Sequence, residues 1–188
     1  MVQQWEEDLK DWVAGWDAVR GTEVPPQNVV AWNGEVPSKE GLVLVCAEDQ
    51  AVMVRGAVNV KEKDVLSRDI LMTGAVQELD RGLSFPGESG MFDAPMGDVT
   101  RFEVDEWGKP IAHSTLSVQD EVAYMGPLLA DASVERDPAE VLDPLVSSMA
   151  NEAFLADAER MYTVVPEDEV PARESQGWER AAVVLRLG

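Results

Sequence analysis

Residues 41–60 read Gly41-Leu-Val-Leu-Val-Cys-Ala-Glu-Asp-Gln50 and then Ala51-Val-Met-Val-Arg-Gly-Ala-Val-Asn-Val60. The first run, 41–47, is short and continuously apolar, as a strand buried on both faces is. Glu48-Asp49-Gln50 supplies a turn. The second run, 51–60, has the length and composition to return beside the first, with Gly56 as a bulge. A hairpin is therefore expected here. A second hairpin is expected at 99–107 and 110–118, where Phe102 and Val104 alternate with Arg101, Glu103 and Asp105. Trp107-Gly108-Lys109-Pro110 makes its turn. A short strand is expected at 28–34, and the apolar run 180–187 closes the chain as a strand that pairs with the sheet or with a partner. The predicted fold is α+β: a mainly antiparallel sheet of two hairpins plus a C-terminal strand, packed against an N-terminal and a C-terminal helix.

The helices follow from 3.6-residue periodicity. Trp5, Leu9, Trp12, Val13, Trp16 and Val19 predict a helix over 3–19, with acids on its other face. Val65, Met72, Val76, Leu79 and Leu83 predict one over 63–82, ended by Gly82. A short helix is expected within 119–131, broken by Gly126-Pro127. Asp137-Pro138-Ala139-Glu140 is a helix-start signal, an acceptor followed by Pro and a third-position Glu. Pro144 kinks or restarts that helix, which is expected to run to about 161. Two long loops are expected, 84–98 and 166–177, within a single domain spanning 1–188.

The chain carries 36 acidic and 15 basic residues, a formal charge of −21. The excess is dispersed: net −7, −3, −7 and −4 over residues 1–50, 51–100, 101–150 and 151–188. There is no acidic tail. Such a surface repels nucleic acid and anionic lipid, so neither direct nucleic-acid binding nor membrane association is expected. Arg outnumbers Lys 10 to 5 and Ile occurs twice, a bias of the kind high-GC bacterial or phage genomes impose. The start, Met1-Val-Gln-Gln-Trp-Glu-Glu-Asp, shows no signal-peptide pattern, and one cysteine forms no internal disulfide. A cytoplasmic location is the expectation.

Residues for chemistry are few. His113 is the only histidine, and as a base it would need a nucleophile and an orienting acid. Ser114 and Glu103 are the nearest candidates. Cys46 lies in the most apolar run, where burial makes a thiol inert. One His and one Cys cannot build a zinc site, and no phosphate-binding glycine pattern is present. The sequence predicts no catalytic, cofactor-binding or metal-ligating set. It predicts a non-enzymatic module acting by protein–protein contact, as an assembly component, adaptor, chaperone-like partner or inhibitor. The contact residues expected are Trp5, Trp12 and Trp16 on the first helix, Phe85, Met91, Phe92 and Met96 in the 84–98 loop, and Val183 and Leu185 in the terminal strand. The partner is a protein or a second copy. The alternatives are a polyanion mimic that blocks a nucleic-acid-binding protein, and a small carboxylate-based enzyme with His113 as base.

Overall fold

The apolar run at 41–47 does form a buried strand, but it does not turn back on itself. The computed structural model describes residues 3–20, 25–37, 40–56 and 65–188. In it Val43–Cys46 (β2) pairs in parallel with Val29–Ala31 (β1) on one side. Its other neighbour is the antiparallel C-terminal strand Glu179–Leu187 (β10). Ala51–Gly56 is a helix, α3, not a returning strand. Ala51 and Val54 are buried while Val52 and Met53 are exposed, a spacing of three that suits a helix and defeats a strand. Residues 57–60 of the expected strand lie outside the described residues.

The second correction is at 63–82. Val65–Ala75 is the long strand β3, and only Val76–Leu79 is helical (α4). β3 lies between β10 and Arg160–Pro166 (β9), antiparallel to both. Its Ile70-Leu71-Met72 core is buried on both faces, so period-2 alternation is absent and the run mimics a helix. Gly74 is required where α4 folds back: a Cβ there would stand 2.8 Å from Leu79 Cδ1. Residues 63 and 64 lie outside the described residues.

The 84–98 segment is not a loop throughout. Ser89–Met96 is an edge strand, β4, paired with Val99–Glu106 (β5). Pro95 is tolerated because an edge strand leaves one row of donors unused. The second hairpin forms as expected, β5 with Lys109–Gln119 (β6). The segment 119–131 holds two short strands instead of a helix, Val122–Met125 (β7) and Leu129–Ala130 (β8), both along β6. The 166–177 segment carries a 3₁₀ turn and a helix, Val170–Ser175 (α6), with Val170 and Arg173 buried.

The strands form one sheet in the order β1-β2-β10-β3-β9-β7-β6-β5-β4, with β8 beside β6. It is a mixed ten-stranded sheet among the described residues, parallel at β1/β2 and β7/β9. The expected two-hairpin, mainly antiparallel sheet is thereby corrected. Its first hairpin does not exist, and β10 enters between strands from the first half of the chain.

Helices cover both faces. On one face lie Gln4–Glu7 (α1) and Leu9–Arg20 (α2), whose Trp5, Trp12 and Trp16 pack on Val45, Tyr124, Tyr162 and Val184. Each indole removes about 200 Å² from water, about 5 kcal/mol gross at 25 cal/mol/Å². Packing therefore outweighs the ~1 kcal/mol that Gly15 costs the helix. Gly15 is needed for close approach: a Cβ would lie 2.6 Å from Tyr124 Cβ. The other face is covered chiefly by Ala139–Leu155 (α5), which continues through Pro144. α5 ends at Leu155, short of the expected 161, because Asp157 turns left-handed (φ 64°). There the Ala158 N–H bonds the Ala153 carbonyl and the Asp157 N–H that of Phe154, a Schellman closure.

Candidate functional site

In open sheets with parallel strands, ligands bind beyond the carboxyl ends of strands that part from each other. Here that place is set by β7–α5–β9, a strand–helix–strand crossover between parallel neighbours. The β7/β9 ladder runs Val122↔Arg160, Ala123↔Met161, Tyr124↔Tyr162 and stops. Beyond that rung β9 stays with β3 as far as Asp69↔Pro166. The chain after β7 breaks at Gly126-Pro127-Leu128 and resumes as β8 beside β6. Gly126 makes the break possible, since a Cβ would lie 2.4 Å from Thr115 Oγ1 and 2.6 Å from Val19 Cγ1. The Gly126 N–H bonds the Thr115 carbonyl, and the Gly126 carbonyl accepts the Ser114 hydroxyl at 3.2 Å.

Tyr124 spans the fork, while Tyr162 reaches the N-terminal helical segment. The Val164 N–H, which faces β7, donates to the Tyr124 hydroxyl at 3.1 Å. Two residues on, in the same phase of the strand, Pro166 has no N–H to offer. The Tyr162 hydroxyl donates to Asp8 Oδ2 at 2.6 Å, and Arg160 Nε stands 3.7 Å from the same oxygen. Burial pushes the Tyr124 phenol up in pKa; burial and then the Asp8 carboxylate do the same to Tyr162. Both stay protonated at neutral pH.

The chain passes from β8 through residues 131–138 to the head of α5. The Asp137 carboxylate accepts the Ala139 N–H at 3.0 Å, and the Asp137 carbonyl accepts that of Glu140. The Val141 and Leu142 N–H groups go to the Pro138 carbonyl. Residues 131–140 hold four acids, Asp131, Glu135, Asp137 and Glu140, and one base, Arg136. Arg136 Nη2 is 2.7 Å from Glu106 Oε1, and its Nη1 is buried without a partner.

Behind the head, a buried polar cluster ties α5 to α6. Arg173 bonds Gln176 Oε1 (3.2 Å) and Glu169 Oε2 (2.8 Å), and Gln176 Nε2 bonds Asp143 Oδ1 (2.9 Å). Arg81 reaches Asp143 at 3.4 Å, and the Ser147 hydroxyl bonds Asp80. Burial lowers the Arg173 pKa, while Glu169 and Asp143 oppose the shift. Every acid in the cluster is answered by a donor, so it braces the two helices. The sequence held no local sign of it, because its members come from three separate segments.

The expected contact residues are scattered. Trp5, Trp12 and Trp16 are buried under the first two helices, and Val183 and Leu185 sit inside the sheet between β2 and β3. None of these five side chains is open to a partner. Phe85 and Met91 lean on the core, whereas Phe92 and Met96 on the edge strand are 62% and 58% exposed. His113 lies opposite Glu103 in the β5/β6 ladder, but no hydrogen bond joins them among the described residues. Its pKa is lowered by burial and by Arg101. Ser114, its supposed nucleophile, points its hydroxyl at Gly126 instead. Cys46 is fully buried, and burial pushes its thiol up to about 11. Among the described residues no group of three or more His, Cys, Asp or Glu is placed to hold a metal. No helix among them is long and apolar enough to cross a membrane.

No family model matches this chain, and no curated protein sequence does. Solved structures do. A GCN5-related N-acetyltransferase from Kribbella flavida superposes with a TM-score of 0.57 at 16% identity, over 79% of this chain and 68% of that one. The fold is that of the GCN5-related N-acetyltransferases. Another such enzyme, from Sphaerobacter thermophilus, gives 0.56 at 7% identity, over 80% and 60% of the two chains. A tandem GNAT protein from the clavulanic acid biosynthesis pathway, determined without acetyl-CoA, gives 0.54 at 9%, over 78% and 64%. The aligned region thus leaves a third or more of the last two proteins unmatched. This fold corrects the expectation of a non-enzymatic acidic module, and with it those of an assembly component, an inhibitor, a polyanion mimic and phage origin. At 16% and 7% identity to these two enzymes, little of the likeness lies in the sequence.

Proposed function

We propose that this protein is an acyl-transfer enzyme of the N-acetyltransferase kind, working at the open end of the β7/β9 fork. The observation that carries the reading is the parting of that parallel pair above the Tyr124–Tyr162 rung, in a sheet superposable on N-acetyltransferases. In the reaction an amine nitrogen attacks the acyl carbon and a C–N bond forms. The bond from that carbon to its carrier breaks, and the proton lost by the amine balances the one gained by the leaving group. The charge of −21 favours a cationic acceptor, such as a polyamine or a lysine side chain, through electrostatic steering.

Acetyl-CoA is the acyl carrier that the fold implies. Its diphosphate requires free N–H groups at a helix head, a close backbone approach and nearby cations. The α5 head offers Asp137, already bonded to the Ala139 N–H, three further acids, and an arginine held by Glu106. The residues do not fit the diphosphate at this helix. The test of the activity is incubation with short acyl thioesters and a panel of amines, read by thiol release and product mass. Amide formation that follows enzyme concentration supports acyl transfer. Absence of product across thioesters and amines would sink it.

A further inference from the structure

We infer that the head of α5 is closed to phosphate by the chain's own carboxylate, and that the acyl donor is held without a diphosphate grip. The inference rests on the acyl-transfer reading for the word donor, but the closure itself rests on hydrogen bonds at one helix end. A phosphate at a helix head is held by N–H groups that the helix leaves without partners. In α5 those of residues 139, 140, 141 and 142 are all taken: by Asp137 Oδ1, by the Asp137 carbonyl, and twice by the Pro138 carbonyl. Asp137 Oδ1, at 3.0 Å from the Ala139 nitrogen, already stands where an incoming phosphate oxygen would bond.

Backbone shape closes the same door. No glycine occurs from residue 127 to residue 176. Every position in the approach therefore carries a Cβ or a proline ring, which keeps a bulky anion away from the main chain. Charge adds to it, since Asp131, Glu135 and Glu140 join Asp137 within ten residues against Arg136 alone. On the strand side Tyr124 takes the Val164 N–H, and Pro166 has none to give. A donor that suits this site is one without phosphate, such as an acyl group on a neutral thioester arm.

The experiment follows the amide resonances of Ala139, Glu140 and Val141 in the full chain. The probes are 3′,5′-ADP, S-acetylpantetheine and acetyl-CoA, with affinities measured alongside. Expected are no change at these amides with 3′,5′-ADP, and acetyl-CoA binding no tighter than S-acetylpantetheine. The Asp137→Gly, Glu140→Gln double variant frees the Ala139 N–H and removes two of the four acids, and 3′,5′-ADP should then perturb the Ala139 amide. Perturbation in the unaltered protein, or a preference of roughly tenfold or more for acetyl-CoA, overturns the inference. A silent double variant overturns the role given to Asp137. Loss of all acyl transfer with no 3′,5′-ADP response would instead sink the acyl-transfer reading and leave the closed helix head standing.

Discussion

Tyr124 and Tyr162 are the only tyrosines of the chain, and they form the last rung before the β7/β9 fork. They are 2% and 0% exposed, so solvent does little to screen them. Burial raises the pKa of both, and Asp8 raises that of Tyr162 further. In the unfolded chain both ionise near the ordinary value of about 10. A folded-state pKa above the unfolded one means full stability below that pH and a loss as pH rises past it. At about pH 11 each tyrosine still protonated in the fold costs it about 1.4 kcal/mol, so the pair costs about 3 kcal/mol. Cys46 behaves likewise, from its ordinary 9.0 to about 11, and would start the loss earlier. The measurement is therefore made in a Cys46→Ala background. Urea unfolding at about pH 8 and about pH 11 should give a difference of ~3 kcal/mol. Phenolate absorbance should be absent from the folded protein at the higher pH and appear together with unfolding. Phenolate that titrates near pH 10 in the folded protein, with stability unchanged, would refute the burial argument.

Other outcomes follow from single contacts. Tyr124→Phe leaves the Val164 N–H buried without an acceptor and should cost about 1–3 kcal/mol in urea unfolding. Gly15→Ala gains ~1 kcal/mol of helix propensity but forces a 2.6 Å contact with Tyr124 Cβ; a net loss of ~1–2 kcal/mol is expected because overpacking outweighs it, and an unchanged melting temperature would contradict the close approach of α2. Arg173→Met removes the partner of the buried Gln176 carbonyl, while Glu169 can turn to water, so about 2–3 kcal/mol should be lost without a change in the fold's circular dichroism. Cys46 should not react with a thiol reagent until the protein unfolds, and prompt modification of the native protein would place it outside the core.

Parts of the fold were legible because they are local. The helix at 3–19, the hairpin at 99–118 and the terminal strand all announce themselves through periodicity and turn residues; the hairpin and strand form, and the helix forms as α1 and α2 with a turn at Asp8. The failures have separate causes. β3 is covered on both faces, so its residues carry no alternation, and 63–82 reads as a helix. α3 is six residues long, too short for its period to separate it from a strand. The glycines and prolines of 84–98 read as loop because the sequence does not say that 89–96 is a sheet edge, where proline is harmless.

The candidate site shows the same division. Asp137-Pro138-Ala139-Glu140 was readable as a helix start, and α5 does begin there. Nothing local said that this helix joins the parallel pair β7 and β9, so nothing marked its head as the place where a ligand's charge would be met.

The sequence by itself determined the net charge, the aromatic stripe of the N-terminal helical segment and the start of α5, because composition, periodicity and helix caps are local properties. Only the tertiary structure decided that β10 lies between β2 and β3, and that β7 and β9 run parallel and part beyond the Tyr124–Tyr162 rung. Those facts depend on pairings between segments far apart in the chain. Backbone hydrogen bonds are the same for every residue, so the pairing leaves no mark in the local pattern.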